Sequence, residues 1–242
     1  MTIQTMSEGA HFAAAGGDVL RELGIELSIG TDFYEYRRLL AEGRPNQPLG
    51  APFDPDIHNL NTGNAFWMLG RNAQGELMHS QASRFIDLKT QKLSGYLLKH
   101  FREFPPTLPD IDLPRSRYRA GPGANRMSGR VIYHGEAWMG GEAGQYRGSG
   151  LSTLLARYNL LITMQRWNPD HVFGFLANPV AFKGFGERMG YMHTEPGAVR
   201  WFRKGSDKVM EGFLCYLSNE DIRFLLDMPV EDLVAREKSK AA

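Results

Sequence analysis

A chain of 242 residues that is 42% hydrophobic can close a sizeable core, as one large domain or as a domain with additions. Its formal net charge of +1, with no block of like charge, gives no footing for a nucleic acid partner. Cys215 is the only cysteine, which excludes an intramolecular disulfide and a cysteine-based zinc cluster, and no run approaches the ~20 apolar residues of a membrane span. Lacking a basic and apolar leader, the chain is expected in the cytoplasm, and nothing in it calls for a metal.

Residues 1–23 are small and polar around Ala13-Ala14-Ala15-Gly16-Gly17 and show no sustained period, which predicts an N-terminal arm, mobile or laid over a partner. Residues 25–29 alternate like a strand, and Thr31 or Asp32 can cap a following helix of Phe33, Tyr36, Leu39 and Leu40 that ends at Gly43. A polar, proline-rich passage over 44–64 leads into 65–69, and the turn at 72–75 returns the chain through 77–86 as a hairpin. Helical spacing resumes over 93–104, with Leu93, Tyr96, Leu97 and Phe101 on one side, until proline stops it. The segment 99–130 carries seven Lys or Arg against three acids, and its five prolines keep it irregular; it reads as a binding loop or as a solvated surface loop.

Residues 130–139 are strand-like, 143–150 are glycine-rich, and Leu151, Leu154, Leu155, Tyr158, Leu161 and Met164 then form one apolar helical stripe. A glycine turn running into a helix lets backbone approach a ligand and presents unpaired first-turn N–H groups with the positive end of the helix dipole, a geometry that suits phosphate. A second strand over 171–177 is followed by Asn178, Ala181, Phe185, Arg188, Gly190 and Tyr191. Two apolar or alternating runs, 198–202 and 209–217, supply the last strands, and a capped helix opening at Ser218 or Asn219 begins a C-terminal extension over 218–242.

In this order the pieces resemble the GNAT superfamily of acyl-coenzyme-A-dependent N-acyltransferases. The family's phosphate loop reads Arg/Gln-x-x-Gly-x-Gly/Ala, which Arg147-Gly148-Ser149-Gly150-Leu151-Ser152 matches with serine last; Gln145 to Gly150 fits two residues earlier. The later segment follows the family's Asn-x-x-Ala and Phe-Tyr-x-Lys-x-Gly-Phe pattern. The likeness spans about 24–217 and is strongest over 130–202.

The resemblance implies an α/β (α+β) fold with a central mixed, mostly antiparallel sheet, flanking helices, and two parallel strands that splay apart at the acyl-coenzyme A site. It implies acetyl-coenzyme A or another acyl-coenzyme A as co-substrate, held by Gln145, Arg147, Gly148, Ser149, Gly150, Leu151, Ser152 and Asn178, with a small-molecule or protein amine as acceptor. A long-chain N-acyl amino acid or acyl-homoserine-lactone-type synthase, drawing on coenzyme A or an acyl carrier protein, is an alternative, as is a non-catalytic acyl-coenzyme-A-binding regulator. Monomer and homodimer both stay open.

Strand alternation places Ile132, His134, Glu136 and Trp138 on one face, so His134 and Glu136 are candidates for the base that takes the amine proton. The chain departs from the family at Gly186, where many members have a tyrosine whose phenol can protonate the leaving thiolate. Either Tyr191, Tyr133 or a water replaces it, or the thiolate leaves unassisted, which the acidity of coenzyme A's thiol makes tolerable.

Overall fold

The computed structural model describes residues 3–142, 145–146 and 149–233, the first eight of these as backbone only. Arg147 and Gly148 of the glycine turn lie outside the described residues. The elements, in order, are α1 (Ile3–Glu22), β1 (Glu26–Gly30), α2 (Phe33–Gly43), β2 (Ala65–Arg71), β3 (Leu77–Asp87) and α3 (Leu93–His100). After these come β4 (Arg117–Tyr118), α4 (Pro122–Arg126), β5 (Arg130–Met139), α5 (Leu151–Trp167) and β6 (His171–Ala177). The chain then passes through α6 (Asn178–Ala181), α7 (Phe185–Arg188), β7 (His193–Phe202), β8 (Val209–Ser218), α8 (Asn219–Asp227) and α9 (Val230–Leu233).

All eight strands join one sheet in the order β1-β2-β3-β5-β6-β8-β7-β4. Every neighbouring pair is antiparallel except β5 and β6, which are parallel and are joined through α5. Mixed and mostly antiparallel, with one parallel pair, this is the fold the resemblance implies. The pairing of β5 with β6 is short: Val131, Ile132 and Tyr133 face His171, Val172 and Phe173, and the register stops there although both strands run on.

One face of the sheet is covered by α1, α5 and α8 over a core holding Phe12, Met68, Ile132, Leu154, Val172 and Leu217. The other face carries α2, α3 and the passage 44–64 over Tyr36, Phe53, Trp67, Leu97, Tyr133 and Phe173. Local sequence explains most elements. Asp32 caps α2 by accepting from the N–H groups of Tyr34 and Glu35 at 2.9 and 3.1 Å, and Ser218 with Asp221 makes a capping box on α8.

Three expectations are corrected. Residues 3–22, read as an arm without regular structure, are helical, and Phe12, Val19 and Leu20 are buried in the core beside α5. Gly16 serves close packing: a Cβ there would stand 3.0 Å from the Tyr158 ring. Helix α5 is buried on nearly all sides, Ala156, Arg157, Asn159 and Thr163 included, because α1 and α8 cover the side away from the sheet. The insertion 99–130 is not wholly irregular, since it adds α4 and, through β4 against β7, the edge strand of the sheet.

Candidate active site

Where β5 and β6 part, a cavity of 950 Å³ crosses the sheet. On the α5 side it is lined by His134, Gly174, Phe185, Met189 and Tyr191, and on the other side by Tyr133, Phe104, Phe175, Trp201 and Glu136. Asn178, at the end of β6, closes one margin; its side-chain Oδ1 is buried and has no hydrogen-bond partner among the described residues. An unpaired buried acceptor is costly unless a ligand meets it. Gly174 keeps the gap narrow at its start, where a Cβ would lie 2.8 Å from the His134 carbonyl oxygen.

The two candidate bases are not neighbours. β5 carries a bulge opposite β3, whose register jumps between Ser80 and Ala82, and Glu136 there has φ +57°. A bulge puts two residues against one, so alternation breaks. Before it, Ile132 and His134 face α5; after it, Ala137 and Met139 do, while Glu136 and Trp138 belong to the opposite face. The expectation of a common face for His134 and Glu136 is therefore corrected by one extra residue.

His134 is buried, and its surroundings fix its tautomer. Gln81 Nε2 donates to the Leu155 carbonyl at 2.7 Å, so Gln81 Oε1 accepts from His134 Nε2–H at 2.8 Å. The remaining nitrogen, Nδ1, accepts from the Tyr191 hydroxyl at 3.0 Å. Burial lowers the His134 pKa to about 4, so the ring is neutral at physiological pH, and burial raises the Tyr191 phenol well above its ordinary range. Tyr133 is likewise raised by burial, with the Glu136 charge adding to it.

Glu136 is also largely buried, and it is paired. Its Oε2 meets the guanidinium of Arg44, and its Oε1 accepts from the Gly50 N–H at 2.9 Å. Arg44 follows the last turn of α2, and its N–H returns to the Leu40 carbonyl at 2.8 Å, which fixes where the side chain starts. Its Nε and Nη1 are buried and have no partner among the described residues. Neither Arg44 nor Gly50 is singled out by the sequence: each lies in a passage whose prolines and polar residues read as a surface connection.

At the glycine turn, Gly150 opens α5 with φ +72°, a conformation that suits glycine, and Leu154 N–H donates to its carbonyl at 2.9 Å. The Ser149 hydroxyl donates to the Tyr146 carbonyl at 2.8 Å and accepts from Leu151 N–H at 3.2 Å, and Gln145 Oε1 accepts from Glu142 N–H at 3.1 Å. The Leu151 side chain is core. None of Gln145, Ser149, Gly150, Leu151 or Ser152 lines the cavity itself. Gly186 is buried, and a Cβ there would meet Leu176 Cδ1 at 3.3 Å, so the position that is a tyrosine in many GNAT enzymes is filled by packing.

No family model matches the sequence, and no curated protein matches it. Solved structures do. Arabidopsis thaliana NAA60 in complex with acetyl-CoA is 13% identical over 80% of this chain and 98% of its own, with a TM-score of 0.46. An N-acetyltransferase from Staphylococcus aureus Mu50 is 12% identical over 81% and 98%, at 0.43. A chimera of the Vibrio cholerae spermidine N-acetyltransferase SpeG and hSSAT is 11% identical over 82% and 98%, at 0.45. Among the described residues, no helix is long and apolar enough to cross a membrane, and no cluster of His, Cys, Asp or Glu is placed to hold a metal ion.

Proposed function

We propose that this chain transfers an acyl group, acetyl in the simplest case, from coenzyme A to an amine. The observation that carries the reading is the parting of β5 and β6 after Tyr133 and Phe173, which leaves backbone groups of both strands facing a cavity that opens to both sides of the sheet. Strand edges of this kind pair with an extended amide-bearing arm. Pantetheine is such an arm, and the unpaired Asn178 Oδ1 would accept from one of its amides. The amides of the turn and of the first α5 residues over 147–152 would hold the pyrophosphate at the positive end of the helix, the Leu151 N–H exchanging the Ser149 hydroxyl for it, with Gln145 alongside.

In this reading the acceptor enters from the Glu136 side and the thioester from the Tyr191 side. The amine nitrogen forms a bond to the thioester carbon, and the carbon–sulfur bond breaks. Glu136, kept in place by Arg44 and Gly50, holds the amine and receives its proton directly or through water. The sulfur leaves as coenzyme A thiolate, and Tyr191, in place of the acid absent at Gly186, would turn toward it the hydroxyl that here donates to His134 Nδ1.

Titration calorimetry with coenzyme A tests the donor site. Gly150→Asp sets a carboxylate and a side chain against the anion, so affinity should fall by roughly a hundredfold or more, while Gly150→Asn, which shares the backbone strain, should fall much less. Unchanged affinity in Gly150→Asp defeats the assignment.

A further inference from the structure

The acceptor side of the cavity has a composition that selects among amines, a selectivity that rests on the acyl-transfer reading. We infer that the acceptor is an amine with an apolar, aromatic-sized body and a negatively charged group at the end away from the amine, and that polyamines are poor substrates.

The body of the chamber is aromatic. Phe104 packs edge to face on Tyr133 at 4.7 Å and on Phe175 at 6.0 Å, and Trp201 and Met210 continue the wall as a cross-strand pair of β7 and β8. Both acids that line the cavity are already matched, Glu136 by Arg44 and Glu211 by Arg200 at 3.1 Å. The cations are not. Arg203 and Lys208 line the mouth and have no ion pair among the described residues. They flank the β7–β8 connection, one residue beyond the end of β7 and one before the start of β8, and line the same cavity as Trp201 and Met210. The one acid of the connecting tip, Asp207, is paired with Arg115 at 2.9 Å.

An amine held at Glu136 thus has an apolar path behind it and unmatched positive charge at the exit. A carboxylate there gains two partners, whereas a second ammonium meets repulsion and an aromatic wall with no free acid.

Calorimetry on the full chain at low salt, with 4-(2-aminoethyl)benzoate, 2-phenylethylamine and spermidine as probes, decides the matter. The benzoate should bind tightest and spermidine weakest. Replacing both cations, Arg203→Gln with Lys208→Gln, changes exposed side chains only and should weaken the benzoate roughly tenfold, leaving 2-phenylethylamine within about twofold. Spermidine binding as tightly as the benzoate, or a benzoate affinity indifferent to the double variant, overturns the inference. So does displacement of 2-phenylethylamine by decanoyl-coenzyme A but not by acetyl-coenzyme A, which would give the chamber to an acyl chain. Thiol release from acetyl-coenzyme A is scored separately: its absence across the panel, with the benzoate preference intact, defeats acyl transfer and not the chamber's selectivity.

Discussion

The Arg44–Glu136 pair gives the sharpest test of how this site is built. The two side chains are only 2% and 7% exposed, so neither charge is offset by water. Arg44→Met keeps roughly the length of the side chain but leaves the carboxylate with the Gly50 N–H as its one hydrogen-bond donor among the described residues; Glu136→Gln keeps that acceptor but turns an amide toward a buried guanidinium. Removing one partner of a buried pair costs about 3–5 kcal/mol, because the other charge stays behind unmatched. At this chain length that corresponds to a fall in melting temperature of roughly 6–20 °C. The double variant removes both charges and should be more stable than either single one, a coupling of about 2 kcal/mol or more. Urea unfolding of the four proteins, with m-values checked for constancy, measures the cycle. Single variants that each cost under about 1 kcal/mol and simply add would refute the reasoning. Turnover separates structure from chemistry: the double variant should regain stability without regaining activity, since it still lacks the carboxylate.

His134 makes stability fall with acid. Folded, its ring stays neutral down to about pH 4; unfolded, it takes a proton near 6.5, so stability is full above 6.5 and is lost between 6.5 and 4, by about 3 kcal/mol. His134→Gln should flatten part of that slope in pH-dependent unfolding, the rest persisting from His79, whose pKa burial lowers to about 3; an unchanged slope counts against it. Tyr191→Phe should slow turnover about tenfold with coenzyme A affinity intact, and equal losses in both would place its role in binding. Gly186→Tyr should not restore a lost acid: with Leu176, Cys215 and Thr194 around the site, it should lower the melting temperature instead, and a faster, equally stable variant would show otherwise. Cys215 is buried and its thiol is pushed up to about 12, so Cys215→Ala should keep activity, and initial-rate plots should intersect as in direct transfer; parallel lines would point to an acyl-enzyme.

Much of this arrangement was legible in the residues. The limits of β5 and β6, the glycine at the mouth of α5, and the caps of α2 and α8 follow from alternation, glycine placement and polar caps that act locally. What could not be read depends on contacts far along the chain. Helix α1 is written in alanine and glycine because it lies close against Tyr158, a reason that appears only once α5 is in place. The bulge at Glu136 has no signature in a run that alternates well on either side of it. Arg44 lies 92 residues from the carboxylate it meets, in a passage with the composition of a loop. The basic insertion reads equally as a binding loop or a solvated surface loop; in the fold Arg115 is engaged with Asp207 and Arg117 with the carbonyls of Pro114 and Ser116, and it is the mostly apolar stretch from Phe104 to Leu108 that reaches the cavity.

The extra residue in β5 also assigns the two sides of one strand to different tasks. Without it, the imidazole and the carboxylate would crowd the same surface, and a substitution that improved one would disturb the other. With it, the two side chains can drift independently, since the sheet itself stands between them and they share only the cavity. On the acyl-transfer proposal, a lineage carrying this strand would exchange one acceptor for another by altering Glu136 and its surroundings, while the Gln81–His134–Tyr191 chain on the far side goes on unchanged.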